Sequence, residues 1–234
     1  MKHINQFITE YIIKKKLNKP IDSEDHYEYF PKTKNELIDN IKELLDKGET
    51  DLNCIDTSKI TDMSELFYNK EDINIDVSKW NVSNVKDMNR MFYNCEDFNC
   101  DLSNWDVSKV ENMERMFHYC EKFNCDLSNW NVSKVKNMSY MFYSCKNFDC
   151  DLSNWDVSNV EKIDHMFCEC RIFIGKGLDN WNINKKVVDM SNMFDGCRKF
   201  NCDLSKWNTK RVKDMRYMFY NCDSLKNKPN WYKA

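Results

Sequence analysis

Glycine, proline and long apolar runs are scarce in this chain of 234 residues, which contains four glycines and three prolines. The scarcity of glycine argues against Gly-rich loops that cradle phosphates and against calcium-binding β-rolls, whose turns depend on glycine. No stretch approaches the roughly 20 apolar residues of a membrane helix. The N-terminal residues also lack the charge order of a signal peptide and a lipobox cysteine. By default we expect a cytoplasmic protein without membrane insertion.

An excess of positive charge is missing as well. The chain has 35 lysines and arginines against 38 aspartates and glutamates, and its formal net charge is −3. A protein that neutralises phosphates needs a basic surface, so we expect no nucleic-acid partner. The four histidines are scattered, and no serine nucleophile elbow or paired-histidine metal motif is present. We therefore expect no enzyme and no cofactor. A catalytic alternative would need a pocket at the irregular coil of residues 173–189.

The chain consists mainly of a repeat. Residues 98–120 read FNCDLSNWDVSKVENMERMFHYC, and residues 123–145 return the same pattern almost unchanged. A period of this size predicts stacked supersecondary units. Seven Met-Phe or Leu-Phe units predict seven coils. The tryptophans mark the period at intervals of 24 to 26 residues and predict a structural ladder: Trp80, Trp105, Trp130, Trp155, Trp181, Trp207 and Trp231.

Within one repeat, Asp101–Ser103 and Trp105–Val107 alternate polar with apolar residues, which predicts a short half-buried strand. Met116, Phe117 and Cys120 follow at helical spacing, and cap-forming residues stand before them in five of the seven repeats, which predicts a short helix. The predicted fold class is therefore a leucine-rich-repeat-like solenoid. Each coil of about 25 residues would hold one short parallel strand and one short helix.

Residues 1–50 are expected to form an N-terminal helical cap region, and residues 51–234 the solenoid. Thr33 and Glu36 have the spacing of a capping box, an apolar stripe follows over residues 37–45, and Gly48 predicts the end of this helix. A partner-binding helix is the alternative interpretation. A second helix is expected near Ile4–Lys16. Two one-residue insertions and two glycines predict a bulge in the coil at 171–189.

The motif D-[LI]-S-x-W-[ND]-V-S-x-V-x-x-M-x-x-M-F-x-x-C covers roughly residues 51–231 and resembles the BspA-like leucine-rich-repeat surface proteins, also called the mycoplasma-type surface lipoprotein repeat. The resemblance implies a right-handed solenoid that binds proteins or host surfaces and has no catalytic residues. Members that reach the surface usually carry an export or lipid signal, which this sequence does not show.

Several columns of the repeat have structural interpretations. Ten of the twelve cysteines fall in two columns and are expected to be reduced and buried, whereas their C-x4-C spacing does not match the zinc ligands of ribbons and fingers. The Asx residue after each tryptophan is expected to bond backbone amides at a turn. A further column could bind calcium between coils, although the few glycines argue against it: Asp76, Asp101, Asp126, Asp151 and Asp203.

The candidate binding residues lie on the outward side of the predicted helix, where Arg115, His118 and Tyr119 are expected to face solvent. Tyrosine and arginine are enriched at interaction hot spots, and here they would line one ridge. Stacking of these tyrosines along the repeat is the structural alternative. The candidate ridge comprises Tyr68, Arg90, Tyr93, Arg115, His118, Tyr140, Tyr143, Tyr217 and Tyr220.

These observations favour a non-enzymatic repeat protein that mediates protein–protein interaction through an extended surface. Two alternatives are a cell-surface or virion adhesin that binds host surfaces, and a calcium-stabilised structural repeat protein. The sequence leaves the identity of the protein partner and the oligomeric state open.

Overall fold

A computed structural model describes residues 27–233. Within this range the helices are α1 (Lys34–Asp46) and a single 3₁₀ turn (Leu178–Asn180), and no β-strand is present. Neighbouring coils share isolated parallel bridges, such as the one between Asp87 and Asn112. The helix predicted near Ile4–Lys16 lies outside the described residues.

Helix α1 has the predicted cap at Thr33, and Glu36 bonds back to the residue before the cap, one residue further than in a capping box. The Thr33 side chain accepts the backbone N–H of Glu36 at 3.2 Å, and the Glu36 carboxylate accepts the N–H of Lys32 at 2.6 Å. The helix ends before Gly48, whose φ of +80° is a left-handed conformation that glycine adopts without strain. Its apolar stripe belongs to the same core as the repeats and consists of Leu37, Ile41 and Leu44.

The predicted strand and helix in every coil are wrong, and with them the leucine-rich-repeat-like solenoid. The described repeats have no sheet, and each coil is instead a series of tight turns. Equivalent residues of successive coils nevertheless lie one above another, because the backbone bonds between coils join residues about one period apart. The protein is therefore a stack of turn-built coils.

Asx side chains explain why the alternating segment is not a strand. The Asp101 carboxylate accepts the N–H of Ser103 at 2.9 Å, and Asp106 accepts that of Ser108 at 3.1 Å. The N–H of Trp105 then bonds the Leu102 carbonyl as a turn. N–H groups that a sheet would need therefore bond to side chains two residues earlier, which is the known competition between Asx turns and secondary structure. The expected role of the Asx column after tryptophan is confirmed at Asp106.

Left-handed residues explain why the following segment is not a helix. Arg115 and Tyr119 have φ values of +54° and +61°. The N–H groups of Met113, Arg115, Phe117 and Tyr119 donate to carbonyls of the next coil at 2.8–3.0 Å instead of to their own coil. The N–H groups of Met116 and His118 donate to the carbonyl three residues earlier and close four-residue turns. Successive N–H groups thus alternate between acceptors in the next coil and acceptors in their own coil. The N–H to C=O(i−4) bonds of a helix therefore do not form.

The buried interior is made of ladders. The indole N–H of Trp130 donates to the Leu102 carbonyl of the preceding coil at 3.0 Å, and the same bond recurs for each tryptophan from Trp80 to Trp231. The rings of Trp105 and Trp130 stack at 6.5 Å, with an interplanar angle of 1°. Buried tryptophan therefore packs and also pairs its one donor, as a buried indole requires.

Cysteine supplies a second ladder. The thiols of one column donate to the carbonyl of the phenylalanine 28 to 30 residues earlier, at S···O distances of 2.9–3.0 Å. All twelve cysteines are free, and eight of them are buried. The expectation of buried, reduced thiols holds for these eight, whereas four are half-buried: Cys54, Cys100, Cys202 and Cys222.

The irregular coil accommodates its insertions without a β-bulge. Gly175 and Gly177 have φ values of +85° and +87°, and the 3₁₀ turn at Leu178–Asn180 follows directly. Trp181 still donates to the Leu152 carbonyl at 3.1 Å. The inserted residues therefore lie between ladder positions, and the tryptophan ladder continues through this coil.

Candidate binding surface

The outward side of each coil carries two left-handed positions, four residues apart. The first position is occupied by Glu65, Arg90, Arg115, Tyr140, His165, Asn192 and Tyr217, all with φ between +52° and +58°. The second is occupied by Asn69, Asn94, Tyr119, Ser144, Glu169, Gly196 and Asn221. Asparagine and glycine, which tolerate this conformation, hold four of the seven second positions. This enrichment in the sequence indicates a left-handed residue, although the spacing of Met116, Phe117 and Cys120 predicts a helix.

Between these positions runs a column of stacked rings, which we call the aromatic column: Tyr68, Tyr93, His118 and Tyr143. Successive ring centroids lie 4.8, 4.6 and 4.6 Å apart, with interplanar angles of 8° to 17°. The predicted ridge residues are thus brought together across four coils. Their stacking is also the structural alternative that the sequence allowed.

His118 differs from the prediction because it is buried, with 7% of its surface exposed. Burial lowers the pKa of His118 to about 3, and the nearby positive charges of Arg115 and Arg90 act in the same direction. Its Nδ1 has no hydrogen-bond partner. His118 is therefore a neutral ring inside the column, not an exposed contact residue.

Tyr119 covers His118. Its ring stands edge-on to His118 at 4.5 Å and to Tyr143 at 5.4 Å, and it is 36% exposed. The sequence predicts an outward Tyr119 but not its place in the ridge, and the other coils have no aromatic residue at this position. The exposed aromatic surface of the middle coils therefore includes Tyr119, while Tyr68 ends the column with 41% exposure.

The first left-handed position adds charge and further rings. The Arg115 guanidinium lies over the Tyr140 ring, 4.5 Å from its centroid, and pairs with Glu114. Tyr140 in turn stacks on His165 at 4.2 Å. Arg90 pairs with Glu65 of the preceding coil at 3.1 Å. Both arginines of the candidate ridge are therefore ion-paired beside the aromatic column, and Arg115 also packs on a ring.

The aromatic column stops after Tyr143, where Cys168 and Asp195 occupy the next two equivalent positions. Burial raises the pKa of the Asp195 carboxyl, and the negative charge of Glu169 adds to this effect. Tyr217 and Tyr220 in the last coil are 60% and 57% exposed and lie edge-on to each other. The structure thus separates these two residues of the predicted ridge from the other seven.

The aspartate column considered above as a calcium site, from Asp76 to Asp203, has a structural role. Each carboxylate accepts the N–H of the serine two residues later at 2.9 Å, as Asp126 does from Ser128. These backbone bonds, together with the serine hydroxyl, hold the pKa of Asp126 below its usual value. Across residues 27–233 no group of three or more His, Cys, Asp or Glu side chains is arranged to hold a metal ion.

The irregular coil borders a shallow depression lined in part by Ile174, Asp179, Lys199 and Cys202. Burial raises the pKa of Cys202 to about 11, so its thiol is protonated at neutral pH. Among the lining residues there is no histidine to activate this thiol. A second depression is lined by four lysines and two glutamates, and two of the lysines are paired: Lys136 with Glu111 at 2.6 Å and Lys186 with Glu161 at 2.5 Å.

The part of the chain that the structure describes contains no helix long and apolar enough to cross a membrane. No curated protein and no solved structure matches the chain. A family model described as "Mycoplasma protein of unknown function, DUF285" matches residues 35–155 and again residues 138–233. The finer resemblance to BspA-like leucine-rich-repeat proteins is not confirmed by this match. Because the two matches together span most of the sequence, the chain belongs to this mycoplasma-type repeat family.

Proposed function

We propose that the protein binds a partner protein through the surface formed by Tyr68, Tyr119, Arg90 and Arg115. The observation that carries this proposal is the continuous stack of the aromatic column, with Tyr119 exposed above it and two ion-paired arginines beside it. Tyrosine and arginine are the residue types that most often dominate binding energy at protein interfaces.

The geometry favours binding because the contact groups are already ordered. Tyr119 is held by edge contacts to Tyr93, His118 and Tyr143, so its ring loses little freedom when a partner covers it. Fixing a mobile side chain at an interface costs about 0.5–1.5 kcal/mol. A preordered surface avoids much of that cost.

The family resemblance supports the same role. The repeat motif is similar to that of BspA-like surface proteins, and the resemblance implies binding of proteins or host surfaces. It also supports an adhesin as the form that this binding takes if the protein reaches a surface.

The test is quantitative recovery of interacting proteins by the purified chain and its variants from cells that make the protein. The binding variant is Tyr68→Ser with Tyr119→Asn. Asparagine occupies the position of Tyr119 in three other coils and tolerates its left-handed backbone, so the fold should persist. Val188→Ser is the matched control, because Val188 is an exposed apolar residue outside the aromatic surface.

We expect the binding variant to lose at least one partner that the wild type and Val188→Ser retain, at unchanged thermal stability. The proposal fails if all three chains recover the same proteins in the same amounts. It also fails if the binding variant unfolds well below the wild type, since Tyr68 and Tyr119 would then be structural.

A further inference from the structure

The last coil has a row of backbone donors without acceptors. In the preceding coil, the N–H groups of Met190, Asn192, Phe194 and Gly196 donate to the last coil at 2.8–3.0 Å. The equivalent N–H groups of the last coil have no acceptor among residues 27–233, and they belong to Met215, Tyr217, Phe219 and Asn221. We call this row the donor edge. Unpaired backbone donors favour an occupant that supplies carbonyl or carboxylate oxygens.

The apolar face of the last coil is also incompletely covered. Met215 and Val212 are half-buried, whereas their equivalents Met113 and Val110 are fully buried. The C-terminal residues cover only one side of this coil: Trp231 stacks on Trp207 at 6.3 Å, and the next residue packs edge-on against Phe219. The side next to the donor edge therefore offers partly exposed apolar contacts.

Charge identifies the occupant. Residues 206–233 contain eight lysines and arginines against two aspartates, a formal net charge of +6 in a chain whose total is −3. Lys210, Arg211 and Lys213 are exposed on the last coil, whereas the Arg216 guanidinium is paired with Asp214 at 2.5 Å. We propose that this end of the stack binds an acidic segment of a partner protein, whose carboxylates accept hydrogen bonds from the donor edge and meet these basic residues.

Carboxylate oxygens suit the donor edge because they accept hydrogen bonds and donate none, so no donor of the partner faces these four N–H groups. Bonds from backbone N–H groups to a carboxylate are charge-assisted and stronger than neutral ones. The acidic side chains would favour this segment over neutral ones through long-range attraction.

A second copy of the chain placed face to face does not fit this end. Two last coils placed face to face would set donors against donors and positive charge against positive charge. At the other end of the stack, Met63 and Phe67 are fully buried and helix α1 joins the same core, so no equivalent apolar edge is open there. The inference concerns a different surface from Tyr119 and does not rest on the proposed function.

The test uses the full chain and a fluorescent peptide in which glutamate alternates with valine. A peptide with lysine in place of glutamate controls for charge, and single-stranded oligothymidylate controls for a general polyanion site. Fluorescence anisotropy measures affinity, and amide hydrogen exchange reports on residues 215, 217, 219 and 221. Arg211→Glu with Lys213→Glu is compared with Lys109→Glu with Lys134→Glu, which reverses two charges on inner coils.

We expect the glutamate peptide to bind, the lysine peptide not to bind, and the donor-edge amides to become protected. The Arg211 and Lys213 variant should weaken binding about tenfold or more, whereas the Lys109 and Lys134 variant should change it less than about twofold. Circular dichroism checks that both variants are folded.

Three results would overturn the proposal. The peptide binds without protecting the donor-edge amides, or fails to bind. Oligothymidylate binds as tightly as the peptide and protects the same amides, which would mean a general polyanion site. The chain alone self-associates and protects these amides, which would mean that a second copy is the occupant.

Discussion

The Cys145 thiol donates to the carbonyl oxygen of Phe117 in the preceding coil at 3.0 Å. The sulfur is fully buried, and this burial raises the pKa of Cys145 well above its ordinary value. A thiol that donates a hydrogen bond and has no access to water is poorly reactive, because the thiolate is the nucleophile.

We therefore predict that a thiol reagent modifies the native protein slowly, beginning with the half-buried Cys54, Cys100, Cys202 and Cys222, and that all twelve thiols react after unfolding. Absorbance of the released reagent counts them. Rapid reaction of all twelve in the native state would contradict the buried ladder. Thiols missing after unfolding without reductant would mean that some are oxidised.

Trp130→Ala should lower the free energy of unfolding by about 3–5 kcal/mol, because it empties a fully packed site in a central coil. It also removes the bond to the Leu102 carbonyl. Trp231→Ala should cost less, since Trp231 is half-buried at the end of the stack. Chemical denaturation of both variants measures the difference. Equal losses would contradict a structure in which each coil depends on its neighbours.

His118 should make stability sensitive to acid. Its pKa of about 3 in the folded protein lies below the ordinary value of 6.5, so the unfolded chain binds the proton more readily. The stability that neutral His118 contributes is present above about pH 6.5 and is lost as the pH falls toward 3. Between pH 6.5 and 5 the free energy of unfolding should fall by about 2 kcal/mol.

His118→Tyr isolates this effect, because tyrosine occupies the equivalent position in both neighbouring coils. Urea unfolding at several pH values should show a smaller loss of stability in the variant than in the wild type between pH 6.5 and 5. Parallel pH profiles would show that His118 is protonated in the folded protein or accessible to water.

Gly196→Ala should destabilise the protein by about 1–2 kcal/mol from its left-handed backbone, with a further loss from a clash. Its φ is +75°, and an added Cβ would lie 2.6 Å from the Glu169 carboxylate. Gly48→Ala is the matched control, because Gly48 has a φ of +80° with nothing within 4 Å. Thermal unfolding should therefore show a larger loss for Gly196→Ala. An equal loss would mean that Glu169 moves aside without cost.

The sequence predicts the repeat, the buried columns and helix α1, but it does not predict the path of the backbone. Leu102, Trp105 and Val107 alternate with polar residues in the way of a strand, yet Asp101 and Asp106 take the N–H groups that a sheet would use. A polar residue next to an apolar one is consistent with either arrangement. Only the regular recurrence of Asx two residues before serine distinguishes them.

The candidate surface was predicted in part for a similar reason. Met116, Phe117 and Cys120 are buried as expected, but the left-handed residues Arg115 and Tyr119 change the directions of the side chains relative to a helix. His118 lies inside the column and Tyr119 above it. Asparagine at the position of Tyr119 in three other coils is the local sign of a left-handed residue, and it is visible only when the repeats are aligned on one another.

Site-specific photo-crosslinking tests the central proposal most directly. A benzophenone amino acid is placed at Tyr119, and in a separate chain at Val188, in cells that make the protein. We predict that light produces a discrete crosslinked protein from the Tyr119 position and none from Val188. Equal crosslinking at both positions, or none at Tyr119 while the chain remains folded, would contradict a binding surface over the aromatic column.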